Sequence, residues 1–184
     1  MPELNRKGNL IEGEGQMQGK EVRTCEKLTK EDLKEIEQYA KEELKRLFNE
    51  VGNPKGKYKV YENKLIAICL CQGAAQHFVD GKTGIKDIDV WFFFEEDKDV
   101  KIPNFKNMRK SVSKKFTNIG EKRIDFLKKA IKEDIINKSE SEKPEDILKS
   151  YLQNGHTSTS KLLAQKSVVG LFPPDIFEKI IWGK

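Results

Sequence analysis

Two short apolar runs, LIAICLC at 65–71 and VWFFF at 90–94, constrain this chain most. Each is apolar on both faces and too short for a buried helix, so each reads as a central strand of a sheet covered on both sides. The second is preceded by Asp87 and Asp89, two residues apart. A carboxylate buried without a partner is costly. Residues i and i+2 of a strand share a face, about 6.5–7 Å apart along the chain. Asp87 and Asp89 are thus neighbours at a strand mouth, while Ile88 and Val90 point to the opposite layer. Two such groups repel unless a proton or cation is shared. A divalent ion held by oxygen ligands relieves that repulsion. Trp91, Phe92, Phe93 and Phe94 behind the pair read as core.

The rest of the chain predicts an α+β fold, a mixed β-sheet flanked by helices. Thr29 with Asp32 forms a capping-box pattern. Leu33, Ile36, Ala40, Leu44, Leu47 and Val51 follow at helical spacing. GNPKG at 52–56 ends that helix with a turn. Residues 57–62 read as a short strand, Gly73 to Gln76 as the start of a short helix, 104–116 as a basic helix, and KRIDFL at 122–127 as a third strand. Pro144 opens a helix running to Asn154. Thr157 or Ser158 caps another, and 175–182 is an amphipathic end. Residues 1–24 are polar and Gly-rich without periodicity, which predicts a mobile tail before one domain over 25–184.

Neither apolar run approaches the roughly 18 residues that span a bilayer, and MPELNRKGNL lacks the apolar core of a secretory signal. Cys25, Cys69 and Cys71 are odd in number and lack zinc spacing, so a reducing cytoplasm and two core thiols are expected. Residues 101–132 carry eleven Lys or Arg against Glu121 and Asp125, a local +9 in a chain of net +5. Such a stretch suits a polyanion, a nucleoside triphosphate or RNA or DNA. The alternative is a lysine-rich solvated surface. His77 reads as a packed polar residue, and His156 as a loop residue beside Gly155.

In KRIDFL, Arg123, Asp125 and Leu127 share one face. If that strand lies beside 87–95, Asp125 completes a three-carboxylate cluster, and Arg123 reaches the same place to neutralise charge or hold a phosphate. Gly73, directly after a buried strand and opening a helix, lets backbone approach a ligand. The competing reading is structural: strand-end acids paired with Lys82, Lys86 or Lys122.

Residues 60–130, with Gly73-Ala74, twelve intervening residues, Asp87-Ile88-Asp89 and a later Asp125, resemble the nucleotidyltransferase superfamily typified by DNA polymerase beta and its minimal relatives. The resemblance implies a nucleotidyltransferase-like core and two Mg2+ ions. It implies transfer of a nucleoside monophosphate from a nucleoside triphosphate such as ATP to an acceptor. Asp87 and Asp89 would bind both ions. Asp125 would bind the catalytic ion and help activate the acceptor hydroxyl. Gly73, Ala74, Lys86 and Arg123 would meet the nucleotide. Ala74 stands where the family usually has Gly or Ser: the backbone N–H survives and the hydroxyl is lost, with Gln76 or Lys86 as substitutes. The other reading is a non-catalytic domain of that fold binding nucleic acid or a partner protein, working with a helical partner as minimal relatives do.

Overall fold

The computed structural model describes residues 27–103 and 109–183. The expected tail at 1–24 lies outside them. Helix α1, Lys30–Glu50, is capped by Thr29 and Asp32 in a reciprocal capping box. Its stripe of Leu33, Ile36, Ala40 and Leu47 is fully buried. The stripe packs on a six-stranded sheet in the order β3-β4-β2-β1-β5-β6. The strands are β1 Leu65–Cys71, β2 Ile88–Glu95, β3 Lys110–Phe116, β4 Gly120–Ile131, β5 Val168–Phe172 and β6 Ile180–Trp182. β2 and β4 are parallel. The β1–β2, β1–β5, β3–β4 and β5–β6 pairs are antiparallel. The fold is therefore α+β with a mixed sheet flanked by helices. Among the described residues no helix is long and apolar enough to cross a membrane.

Strand alternation divides the aromatic run between two layers. Ile88, Val90, Phe92 and Phe94 join α1 and helix α2, Gln72–Asp80, in one core. Trp91 and Phe93 join Cys69, Cys71, Leu127 and Tyr151 in the other. That second core lies under α3 (Glu133–Ile136), α4 (Pro144–Asn154) and α5 (Ser158–Leu163). Burying each of these rings contributes about 2–3 kcal/mol. Cys69 and Cys71 are free buried thiols, as expected.

Two expected elements differ. Residues 57–64, read in part as a strand, form a 3-10 helix. Tyr58 and Tyr61 are both buried; a spacing of three puts them on one side of a three-residue turn and on opposite faces of a strand. The Tyr61 hydroxyl donates to the Val100 carbonyl at 2.5 Å.

The basic helix expected over 104–116 is instead strand β3 from Lys110 onward, with 104–108 outside the described residues. KSVSKKF alternates: Val112 and Phe116 turn to the α1 core, and Ser111 and Ser113 turn to the other face. A three-residue loop, 117–119, leads to Gly120 at φ +72°, the left-handed position such hairpins require. β4 is consequently longer than the 122–127 expected. The hairpin spreads the basic stretch over both faces of the sheet. Lys114 lies over the Tyr39 ring of α1 at 4.7 Å, while Arg109 and Arg123 face the other way.

The amphipathic end forms a 3-10 turn, Pro174–Ile176, and β6. It crosses Gly170 so closely that a Cβ there would lie 2.1 Å from the Ile176 carbonyl oxygen.

Candidate functional site

Asp87 sits immediately before β2, Asp89 is its second residue, and Asp125 lies in β4. Asp89 and Asp125 are register partners across the parallel pair. Neighbouring strands run about 4.8 Å apart, and paired residues share a face. Strand parity thus gathers the expected acids at one mouth of the sheet, on the α5 side. Ser111, paired with Asp125, and Ser113, paired with Arg123, face the same way from β3.

Asp125 is fully buried. Arg109 and the Ser111 hydroxyl each donate to one of its oxygens. Arg123 lies 3.3 Å from it and donates to Asp87 at 2.6 Å. Burial pushes the Asp125 carboxyl up, but the hydrogen bonds from Arg109 and Ser111 and the charges of both arginines outweigh it. The net shift is below the usual carboxylate range. Asp89 behaves oppositely. Burial first, then the negative charges of Asp87 and Asp125, push it up to about 6 against the pull of Arg109 and Arg123. Hydrogen bonds from Arg109 and Ser111 thus hold Asp125 charged, while at Asp89 burial and the neighbouring carboxylates outweigh both arginines.

Asp89 and Arg109 border a cleft of about 240 Å³ whose floor is Trp91 and Leu127 and whose far wall is Ser158 and Thr159 of α5. Gln72 also lines it, at the junction of β1 and α2. Gln72 has φ +60°, a left-handed turn that starts α2 directly from the strand. Gly73 follows in the first turn of α2, and a Cβ there would meet nothing within 4 Å. Packing does not demand the glycine. Ala74 is buried in the α1-side core. Only its backbone N–H is left for a ligand, and a serine hydroxyl at that Cβ would point into apolar surroundings. Gln76 accepts from Ser167 at 3.0 Å, and Lys86 is exposed before the mouth of β2.

The structure brings Asp87, Asp89, Arg123 and Asp125 together, with Gly73 in the helix turn that begins beside the cleft. Lys122 lies on the opposite face of β4, two residues from Ile124, and cannot serve these acids. Arg109 and Ser111 are the participants that the sequence reading missed. Their signal was the alternation Arg109, Ser111, Ser113, masked by reading the segment as a helix. His77 is fully buried, its Nδ1 hydrogen-bonded to the Thr83 carbonyl. His156 lines a different cavity.

Carboxylate oxygens are the ligands magnesium prefers, so the donor set suits that ion. Both oxygens of Asp125 are engaged, however, and Arg123 stands between Asp87 and Asp125. Among the described residues no three acidic, histidine or cysteine side chains are gathered closely enough to hold a metal. An ion joining all three acids needs Arg109 to turn away. No family model, curated protein or solved structure matches the chain.

Proposed function

We propose that this chain is a magnesium-dependent nucleotidyltransferase with a nucleotidyltransferase-like core, moving a nucleoside monophosphate from a triphosphate to an acceptor hydroxyl. The observation that carries this reading is the register pairing of Asp89 with Asp125, with Asp87 at the mouth of the same strand and a glycine-led helix turn at the next strand's end. Asp87 and Asp89 would hold Mg2+, with Asp125 joining them for a second ion when Arg109 is released. Bound magnesium would supply charge neutralisation at the attacking and leaving oxygens. Arg109 and Arg123 would then hold triphosphate oxygens, where a planar guanidinium binds well. The backbone N–H groups of Gly73 and Ala74 point as helix-terminal donors suited to phosphate. Asp125, released by Arg109 and holding the second ion, would help activate the acceptor's hydroxyl. An RNA or DNA acceptor would use a further cation of 101–132 on the cleft face, the exposed Lys115.

A second reading is a non-catalytic domain of this fold that binds nucleic acid or a helical partner protein. The full engagement of Asp125 by Arg109 and Ser111 favours it. Calorimetric titration with Mg2+ and each nucleoside triphosphate separates the two, on the wild type and on Asp87→Ala/Asp89→Ala. Metal-dependent binding lost in the variant supports transfer. Incubation with α-labelled triphosphates and cell extract then reports the acceptor, and Asp125→Asn is expected to fold and to abolish labelling. Absence of metal-dependent binding leaves the second reading.

A further inference from the structure

We propose a separate anion site, for a small phosphate monoester, in the cavity where the far end of β4 meets the loop between α4 and α5. Its volume is about 240 Å³. Lys129 comes from β4, Lys132 follows that strand, and Lys138 follows α3; all three line the cavity. Asn154 at the end of α4 and His156 and Thr157 of the α4–α5 loop also line it. Lys129 lies four residues beyond Asp125 in β4, about 13 Å along the strand, so the site is distinct from the carboxylates.

The charge balance invites an anion. Burial lowers the Lys129 ammonium, Lys132 lowers it further, and Glu96 only partly offsets them. Glu96 also lies 3.6 Å from Lys101. Asp134 is the other acid of the lining, so three lysines stand against two carboxylates and the cavity keeps a net positive charge. Tyr151 adds no negative charge, since a phenol is neutral near pH 7 and burial only raises it further, to about 12. Three lysines thus line a cavity whose lining also carries an amide, an imidazole and a hydroxyl, all able to donate to phosphate oxygens. The volume exceeds that of a bare phosphate group, and Ile131 and Ile135 give the remainder an apolar lining suited to the ester's carbon skeleton.

The test is a 15N–1H titration of the full chain with inorganic phosphate and with glycerol phosphate, ionic strength held constant with sodium chloride. The expected result is saturable shifts in the amides of 129–138 and 154–157, tighter for the ester. Lys132→Ala/Lys138→Ala, both exposed positions, is expected to weaken binding at least about tenfold with the melting temperature unchanged. Asp89→Asn is expected to bind as wild type, which separates this site from the nucleotidyl-transfer reading. If the lysine pair fails to fold, His156→Ala takes its place, with weakened binding expected. Shifts confined to residues 72–74 and 123–125, no saturation, or unchanged affinity in the folded variant overturns the site.

Discussion

Asp89 and Asp125 face each other across a parallel strand pair and titrate in opposite directions, Asp89 up to about 6 and Asp125 below the usual range. The asymmetry arises because burial and the neighbouring carboxylates outweigh both arginines at Asp89, whereas Asp125 receives hydrogen bonds from Arg109 and Ser111 that outweigh its burial. Asp89 costs stability when charged. Its folded value exceeds the 3.8 of an ordinary aspartate, so the folded state holds a proton that the unfolded chain releases. The cost is absent below about pH 4, grows as pH rises to about 6, and is constant above. Asp89→Asn is expected to stabilise the protein by about 2–3 kcal/mol above pH 6 and by almost nothing near pH 3. Urea unfolding at the two pH values checks this; an equal effect at both would remove Asp89's titration as the cause.

Arg109→Ala leaves the fully buried Asp125 with Ser111 and a 3.3 Å approach from Arg123. Losing one partner of a buried charge is expected to cost about 2–4 kcal/mol, toward the lower end because the guanidinium is itself half-exposed. Adding Asp125→Asn should recover part of that loss. Additive single effects in a double-mutant cycle would show that the pair does not interact.

Glycine tests separate packing from function. Gly170→Ala drives a methyl to 2.1 Å from the Ile176 carbonyl oxygen, backbone that cannot yield cheaply. A loss of about 3 kcal/mol or more is expected. Gly73→Ala has open space and a helical setting, so stability should hold or rise by up to about 1 kcal/mol. The same change should weaken triphosphate binding if backbone approaches ligand there. Unaltered nucleotide affinity would take Gly73 out of the proposed site.

On the α1 side, Lys128 is buried 3.9 Å from Glu43. Burial lowers its ammonium to about 8, with Glu43 opposing and Arg46 assisting. A lysine lowered from 10.5 costs stability at neutral pH and recovers it as pH rises from about 8 past 10.5. Lys128→Met is therefore expected to stabilise by about 2–3 kcal/mol at pH 7 and to lose that advantage near pH 11. Denaturation midpoints across this range give the answer, and a pH-independent difference would assign the gain to packing.

The strand mouth was legible because its signals are short-range. Asp87 and Asp89 are spaced for one face, and apolar residues surround Asp125. Helix α1 was legible from Thr29 and the stripe behind it. What escaped depended on tertiary pairing. KSVSKKF has only Val112 and Phe116 to mark its period, and its lysines satisfy either periodicity. Only the turn at Gly120 and the long partner β4 make it a strand. With that reading went Arg109 and Ser111, the two groups that decide how Asp125 titrates. Residues 57–64 failed for a related reason: the tyrosine spacing fits a three-residue turn, which composition alone does not announce.

Among the described residues β3 is an edge strand of the sheet, hydrogen-bonded along its length to β4 alone. It unzips by breaking one ladder, whereas β2 is held on both sides. Detaching its first turns of pleat carries Arg109 and Ser111 off together and exposes the one acid they shield. Opening that edge and uncovering Asp125 are thus a single motion, so local opening of β3, followed by amide hydrogen exchange along the strand, sets how often that carboxylate meets solvent.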